Sequence, residues 1–404
     1  AILSSSNLVS GFHAPSRYHI LPLSFMALLH LRGCLALKSF VVASAFRLSL
    51  SLVTVGQKTR EQREHGIFVH RPRNMETIKI AVASYVSANF EEDSSAMNCS
   101  TEEQLLNCTW FEAAMGSDGY AQADVLFFYI PPWSGKAVKN RSSQLLVVHS
   151  IESSVNYPQM NNRSYMEQFD LEVSYRSCSQ VPAYYLSADD KFISLTMQEP
   201  LAFEKKKRAL AYINSNCGPM YLSSGRLEIM REVMKLNKTL HVDSYGACDN
   251  NMGGSRVDDK ASVIADCMFC VAMENSITKD YVTEKVFDAL QAGCIPIYLG
   301  APNVRDFLPD AEAIIDYKDF GTPELLVAEM ERLANNKSAY EEKLAWKRRK
   351  MSELAPSFLQ KARQMATSFQ CQLCQLAAER RRSPKNFPEK YTTCLWNSTW
   401  MHDA

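Results

Sequence analysis

Five polar side chains with compatible chemistry lie close together in one short stretch of the sequence. They are Glu274, Asn275, Tyr281, Glu284 and Lys285. Lys285 offers a point charge for a phosphate, and the backbone N–H groups in the first turn of a helix add to that charge. Glu284 can accept hydrogen bonds from neighbouring sugar hydroxyls, and Tyr281 offers a flat face and one hydroxyl. The set fits a phosphorylated sugar or a nucleotide.

The sequence around these residues predicts a strand, a loop, a helix and a second strand. The apolar runs Cys267–Met273 and Cys294–Gly300 predict the strands, and an amphipathic helix between them stops at Gly293. In a parallel α/β sheet, ligands bind where a strand ends and the next helix begins. The five side chains are therefore predicted to line a ligand site. The alternative, which would hold for an isolated Glu-Lys pair, is a solvated helix surface.

The whole stretch from Phe269 to Pro309 resembles the donor-binding signature of the α1,3/α1,4-fucosyltransferases. The matching residues read Glu-Asn-Ser, then Asp-Tyr-Val-Thr-Glu-Lys, Ala-Gly, Pro-Ile and Gly-Ala-Pro. The resemblance covers about residues 140–375. It implies an α/β fold of the GT-B type, in which two Rossmann-like lobes face a cleft. It also implies GDP-fucose as the donor.

Glu152 is the candidate catalytic residue. It follows the predicted strand Gln144–His149, so its carboxylate is expected at the rim of a cleft between lobes. On the sequence alone, an exposed loop glutamate is the favoured interpretation. In the resembled family the corresponding Glu-Ser-Pro-like motif carries the proposed general base. Here Ser154 replaces the proline.

Arg226 is the candidate partner of a donor diphosphate. It falls in the first turn of a predicted helix, from which a guanidinium can grip phosphate oxygens in a bidentate fork. The resemblance implies the same role. The alternative is an ion pair with Glu228 or Glu232 on the helix surface. The segment Asp243–Gly246 resembles a family segment that shapes the nucleotide pocket.

No metal site is predicted. Asp258 and Asp259 stand at the start of a predicted helix, where carboxylates favour the helix dipole, so a metal-binding Asp-x-Asp role is the weaker interpretation. Because Arg226, Lys285 and a helix terminus already offset a diphosphate, a divalent ion need not be obligatory. A stimulatory role for Mn or Mg stays open.

Charge and composition exclude some classes of protein. In 404 residues, 44 Lys and Arg balance 44 Asp and Glu, so no basic face for nucleic acid is implied. Seven N-x-S/T sequons and twelve cysteines favour passage through the secretory pathway and an oxidising lumen. The resemblance implies a Golgi membrane protein of single-pass type II, with its catalytic domain in the lumen.

The cysteines include two C-x-x-C pairs that invite a zinc interpretation. Cys267 and Cys270 lie in a predicted strand, where residues i and i+3 point to opposite faces and do not converge on one ion. Cys371 and Cys374 lie near the chain end, as do disulfide cysteines in the resembled family, so a structural bridge is expected, with Cys394 a possible partner. Two further cysteines are assigned to disulfides or the core: Cys217 and Cys248.

Four regions are predicted along the chain. Residues 1–75 form a degenerate signal anchor and stem or an upstream extension, because no uncharged apolar run reaches about 18 residues. Residues 76–200 form an acceptor-binding α/β lobe in which strands alternate with Asn- and Ser-rich loops, and residues 201–350 a GDP-fucose-binding α/β lobe. Residues 351–404 form a C-terminal helix and a cysteine-containing tail.

Together these observations predict an inverting fucosyltransferase. It would transfer L-fucose from GDP-fucose to a hydroxyl of N-acetylglucosamine, expected to be the 3-OH, on a glycoprotein glycan. Glu152 would act as base, and Arg226, Glu274, Asn275, Tyr281, Glu284 and Lys285 would bind the donor. The alternatives are a transferase of the same fold that uses another nucleotide sugar, a non-catalytic glycan-binding relative and, least favoured, a cytosolic zinc protein.

Overall fold

The computed structural model describes residues 75–83, 95–101, 104–130, 133–187, 189–236, 238–253, 257, 259–384 and 394. The anchor predicted for residues 1–75 lies outside this part of the chain, apart from Met75. None of the described helices combines the length and the apolar character that a membrane crossing requires.

The described strands and helices alternate along most of the chain. The strands are β1 Glu76–Val82, β2 Ser95–Asn98, β3 Leu106–Glu112, β4 Val125–Tyr129, β5 Leu145–Ser150, β6 Leu171–Ser174, β7 Val181–Pro182, β8 Lys207–Ile213, β9 His241–Tyr245, β10 Cys267–Met273, β11 Ile295–Leu299 and β12 Ile315–Asp316. The α-helices are α1 Asp118–Gln122, α2 Arg163–Met166, α3 Asp190–Thr196, α4 Arg226–Leu236, α5 Lys260–Asp266, α6 Glu284–Ala292, α7 Pro323–Ala334, α8 Lys337–Lys343, α9 Pro356–Gln364 and α10 Phe369–Arg382.

Two sheets organise these elements. The first is seven-stranded in the order β2-β3-β1-β4-β5-β6-β7 and is parallel except for the antiparallel pair β2 and β3. The second is five-stranded and parallel, in the order β12-β11-β10-β8-β9. Its order reverses between β8 and β10, and in open α/β sheets the ligand crevice lies outside the strand ends at such a point.

Local sequence explains why the unit from β10 to β11 folds as it does. The side chains of β10 are almost all buried, as expected for a strand covered on both faces. Helix α6 begins after Thr283, whose side chain accepts a hydrogen bond from the N–H of Lys285. It ends at Gly293, which has a φ of 72° and therefore suits glycine. These caps fix Glu284 and Lys285 at the start of α6.

Disulfides connect segments that are distant in sequence. The bonded pairs are Cys99–Cys371, Cys108–Cys374, Cys178–Cys394, Cys217–Cys248 and Cys270–Cys294. The disulfides expected at Cys371 and Cys374 are present, but Cys394 as their partner is wrong, because α10 packs its buried cysteines against β3 and the residue after β2. Cys267 is a buried free thiol.

The predicted fold class is confirmed: an α/β chain with two Rossmann-like parallel sheets. The strands of the first sheet fall within 76–182 and those of the second within 207–316, and the domain boundaries given above stay a prediction. One of the Asn- and Ser-rich loops predicted within residues 76–200 contains two strands. Residues 95–98 and 106–112 pair as β2 and β3, because α10 covers them and their disulfides hold them against it.

Candidate functional site

The carboxyl ends of the two sheets meet through the loop between β10 and α6, residues 276–283, which we call the bridging loop. The hydroxyl of Ser153, which follows β5, lies 2.5 Å from the hydroxyl of Ser276 and 3.1 Å from that of Thr278. All three residues are buried. The ends of β5 and β10 therefore face each other, and the side chains that follow these strands come into one site.

A buried carboxylate holds the lysine of the signature. Glu274 has no exposed surface and accepts hydrogen bonds from the backbone N–H of Thr283 (2.8 Å) and from its hydroxyl (2.9 Å to Oε1). Nζ of Lys285 lies 3.3 Å from Oε2 of Glu274 and donates to the Thr283 hydroxyl at 2.8 Å. Burial raises the pKa of Glu274, while the charge of Lys285 and the bonds from Thr283 oppose that rise. Glu274 is thus placed to hold Lys285.

Lys285 stays charged in this setting. Burial lowers its pKa, but the charges of Glu274 and Glu284 more than offset burial, so its pKa is raised. Its side chain is 28% exposed, and that of Glu284 is 53% exposed. The lysine therefore offers a fixed positive charge at the start of α6, and Glu284 lies beside it within reach of a ligand in solution.

Arg226 is the first residue of α4 and lies at the strand ends of β8 and β10. It is almost fully buried, and its two terminal nitrogens donate to the carbonyl of Met273 (3.0 Å) and to Oδ1 of Asn214 (3.0 Å). A buried guanidinium needs partners, and this one takes two from the sheet edge, so its bidentate grip on a diphosphate stays a prediction. Contact with a ligand is left to its remaining N–H groups.

Asn275 follows Glu274 at the end of β10 and contacts the segment that leads into α4. Its carbonyl accepts from the hydroxyl of Ser223 (3.0 Å), and the hydroxyl of Ser224 donates to the carbonyl of Glu274 (2.7 Å), which ties the loop before α4 to the end of β10. Among the described residues, Oδ1 of Asn275 and Nε of Arg226 are buried without a hydrogen-bond partner. Buried polar atoms of this kind are uncommon in proteins. They fit a site that hydrogen-bonds a polar ligand.

Glu152 lies on the opposite side of the site, after β5. Its Oε2 accepts a hydrogen bond of 3.3 Å from the hydroxyl of Tyr281, and its backbone N–H donates to the hydroxyl of Ser150. Burial raises the pKa of Glu152, while the Tyr281 bond and the charge of Lys285 lower it and Glu284 raises it. A carboxylate with a raised pKa is a stronger base than an ordinary glutamate.

Tyr281 takes a different place from the one predicted. It is 2% exposed, and its ring packs edge-on against that of Tyr175, with 5.1 Å between the centroids. The expected flat face open to a ligand is therefore wrong, because neighbouring side chains cover the ring. Its hydroxyl faces Glu152 across the two sheets.

The structure adds residues that the sequence did not single out. Asn214 holds Arg226, Thr283 holds Glu274, and the hydroxyl of Tyr185 donates to the carbonyl of Ile151 next to the candidate base. The only available sequence signal was that Asn214 and Thr283 follow a strand and precede a helix. The side chain of Asp259 caps α5 by accepting from the N–H of Ser262, as predicted for a helix start.

One cluster in the described part of the chain has metal-ligand spacing, and disulfide chemistry accounts for it. The sulfurs of Cys99, Cys108 and Cys374 lie within 4.8 Å of one another. All three belong to disulfides, so none offers the thiolate that zinc binds. Likewise Cys270 is bonded to Cys294, and the pair Cys267 and Cys270 does not present two thiolates.

Comparisons with known proteins agree with this arrangement. Residues 203–392 match the model of glycosyltransferase family 10 (fucosyltransferase), C-terminal part. This segment is therefore similar to family 10, and the resemblance to fucosyltransferases seen in the signature is confirmed.

Several curated proteins are similar to this chain. A putative fucosyltransferase-like protein of Arabidopsis thaliana is 30% identical over 62% of this chain and 47% of its own length. A GDP-fucose protein O-fucosyltransferase 3 of Xenopus laevis is 30% identical over 54% and 48%. An alpha-(1,3)-fucosyltransferase B of Drosophila melanogaster is 27% identical over 47% and 45%. The chain thus spans about half the length of these relatives.

A solved structure, an alpha1,3-fucosyltransferase with GDP-fucose, aligns with 74% of this chain and 92% of its own, with a TM-score of 0.49 and 16% identity.

Proposed function

We propose that this protein is an inverting fucosyltransferase that uses GDP-fucose as its donor. The observation that carries the proposal is the set of polar groups at the switch point of the second sheet. Lys285 and Arg226 supply positive charge there, and Nε of Arg226 and Oδ1 of Asn275 are buried without a partner among the described residues. A nucleoside diphosphate sugar suits this set, because its diphosphate can pair with the positive charges and its hydroxyls can hydrogen-bond the polar atoms that lack a partner.

Glu152 is the base in this proposal. The acceptor hydroxyl attacks the anomeric carbon of fucose from the face opposite GDP, its proton passes to the Glu152 carboxylate, and the bond to the phosphate oxygen breaks. Positive charge develops on the sugar ring and negative charge on the departing diphosphate. Lys285 and Arg226 stabilise the latter through charges that are already in place.

Metal is not required by this proposal. Two cationic side chains and the N-terminus of α6 offset the diphosphate, so we expect activity in the presence of a chelator. Stimulation by Mn or Mg would be compatible with it. Loss of all activity on chelation, restored by either ion, would contradict it.

For the acceptor we propose the 3-OH of an N-acetylglucosamine on a glycoprotein glycan. The signature resembles that of α1,3/α1,4-fucosyltransferases, and one relative is named as an α1,3 enzyme. A second candidate is a hydroxyl of a polypeptide, because other relatives are named as protein O-fucosyltransferases. We further propose a Golgi membrane location with the catalytic part in the lumen, which the five disulfides favour because they need an oxidising compartment.

One assay tests the proposal. The full chain is incubated with one donor at a time: GDP-fucose, GDP-mannose or a UDP-sugar. The acceptor is either a glycopeptide whose glycan ends in N-acetylglucosamine or the same peptide without its glycan. The products are identified by mass spectrometry. We expect GDP-fucose alone to be consumed and a deoxyhexose to appear on the glycan. Transfer only to polypeptide would select the second candidate. Glycan binding without release of GDP would select the non-catalytic relative, and use of another donor would reject the donor assignment.

Glu152→Gln isolates the base. We expect the variant to bind GDP normally and to lose about a hundredfold to ten-thousandfold in kcat, the usual scale for general-base catalysis. Glu167→Gln, which changes an exposed glutamate, is the matched control. A folded Glu152→Gln protein with near-normal turnover would reject the assignment.

A further inference from the structure

The contact between the bridging loop and the first sheet does more than join two parts of the chain. It begins beside the candidate base, because Ser153 follows Glu152 directly and its buried hydroxyl contacts Ser276 and Thr278. On the other side of Glu152, the hydroxyl of Tyr185 donates to the carbonyl of Ile151 at 2.8 Å. The backbone is thus held both before and after Glu152.

Asp280 closes the bridging loop onto the first sheet. Its carboxylate accepts from the N–H (2.9 Å) and the hydroxyl (2.8 Å) of Ser177, just past β6, and from the side-chain amide of Asn303 (2.9 Å) in the second sheet's part of the chain. Its backbone adopts a φ of 66°, a left-handed conformation that is uncommon for residues other than glycine. Such a conformation persists only where the surroundings fix it.

We call the hydrogen bonds of Asp280 with Ser177 and Asn303 the clasp. Tyr281 is the next residue, so the clasp fixes the direction of the Tyr281 hydroxyl. With the preceding residue fixed and the ring packed on Tyr175, the hydroxyl reaches Oε2 of Glu152 at 3.3 Å. The two residues are 129 positions apart and follow strands of different sheets. A side chain of the donor-binding segment therefore contacts the base on the acceptor side.

We propose that Tyr281 is a positioning residue for Glu152: its hydroxyl occupies Oε2 and leaves Oε1 to take the acceptor's proton. The proposal rests on the fucosyltransfer proposed above. In this proposal Tyr281 interacts with the base and not with the donor, because its ring is buried and its hydroxyl already bonds Glu152.

The charged and titratable groups around Glu152 define what a test must separate. Lys285 and Glu284 act on it from α6, and Tyr281 donates to it from the bridging loop. From the first sheet's part of the chain, the phenols of Tyr129, Tyr157 and Tyr185 lie close enough for their own pKa values to respond to Glu152. Among these groups Tyr281 is the hydrogen-bond donor, and the bond favours the ionised carboxylate.

Tyr281→Phe removes the hydroxyl and keeps the ring. We expect kcat to fall roughly tenfold, because a carboxylate free to rotate spends less time aimed at the acceptor. We also expect the acid limb of the kcat/KM pH profile to move to higher pH, because the ionised carboxylate loses a hydrogen bond. GDP affinity, measured by calorimetry, should change by less than about twofold, since no donor contact is removed.

Two controls make the result decisive. Tyr175→Phe removes a hydroxyl from the neighbouring ring, where it bonds Ser154 and not the Glu152 carboxylate, and it should leave the acid limb in place. Asp280→Asn weakens the clasp. It should lower kcat and move the acid limb of the kcat/KM profile to higher pH, as Tyr281→Phe does, and GDP affinity should stay unchanged.

Three results would overturn the inference: an unmoved acid limb in Tyr281→Phe, an equal shift in Tyr175→Phe, or a loss of GDP affinity as large as the loss of kcat. A loss of GDP affinity as large as the loss of kcat would indicate that Tyr281 binds the donor. Failure of the proposed function is distinct, because the unaltered protein would then show no transfer from GDP-fucose at all.

Discussion

Nζ of Lys285 lies 3.3 Å from Oε2 of Glu274, a carboxylate with no exposed surface that directly follows β10. The lysine comes from the first turn of α6, so this contact fixes a helix start against a strand end. An ammonium held in this way needs no reorganisation when a diphosphate arrives, which is how fixed charges stabilise developing charge most effectively.

Lys285→Ala should weaken GDP-fucose binding by roughly 10- to 100-fold, the range given by loss of one hydrogen bond between charged groups. Acceptor binding should stay nearly unchanged, because the ammonium lies on the donor side of the site. Calorimetry with GDP and acceptor KM measurements check both. Lys337→Ala, which removes an exposed lysine from α8, is the control. Equal losses of donor and acceptor binding would indicate that Lys285 serves folding.

Glu274→Gln should reduce the free energy of unfolding by about 1–3 kcal/mol, the cost of leaving a buried partner incompletely satisfied. Thr283 and Lys285 both lose a charged acceptor in this variant. Glu284→Gln changes the exposed neighbour and should cost less than about 0.5 kcal/mol. Urea unfolding of the two variants measures the difference. Similar losses of unfolding free energy in the two variants would mean that the Glu274 carboxylate does not stabilise the positions of Thr283 and Lys285.

Gly300→Ala should disturb the same carboxylate by crowding. A Cβ at position 300 would lie 2.7 Å from Cγ of Glu274 and still closer to the hydroxyl of Tyr298. Overpacking of this kind costs about 1–3 kcal/mol, and we expect GDP affinity to fall with it because Glu274 carries Lys285. Gly218→Ala, at an exposed glycine whose Cβ meets nothing within 4 Å, should change neither quantity.

Local patterns were enough to predict the unit from β10 to β11. The run Cys267–Met273 is β10 to the residue, because a long apolar run is a local signal. The same signals placed Glu274, Asn275, Glu284 and Lys285 around one strand end. Their chemistry was therefore readable without knowledge of the fold.

Contacts between distant segments were not readable. Leu106–Glu112 looked like loop because Asn, Thr and Glu interrupt it, and it forms a strand because β1 and β2 pair with it. The partners of Cys371 and Cys374 lie more than 260 positions away. The contact of Tyr281 with Glu152 likewise depends on how two sheets meet, and no local rule encodes it.

His149 gives a prediction about acid stability that is independent of catalysis. Its ring is buried at the end of β5, stacks on Phe369 with 4.9 Å between the centroids, and has Nδ1 3.0 Å from the carbonyl of Val173. Burial lowers the pKa of His149 to about 4, and the bond to Val173 only partly opposes that. The ring is therefore neutral in the folded protein over most of the physiological range.

The sign follows from the protons bound in each state. Between pH 6.5 and about 4 the unfolded chain holds a proton on this histidine and the folded chain does not, so stability falls as the pH decreases. Over that window the loss amounts to about 3 kcal/mol from this one residue. His149→Phe should remove that part of the pH dependence, even if it is less stable at pH 7 for want of the Val173 bond.

Urea unfolding at pH 7, 6 and 5 provides the measurement. The unaltered protein should lose stability more steeply than His149→Phe as the pH falls from 7 to 5. His241→Phe, which removes an exposed histidine from β9, corrects for general effects of the substitution. Parallel curves for the unaltered protein and His149→Phe would mean that the buried ring takes up its proton in the folded state as readily as in the unfolded chain.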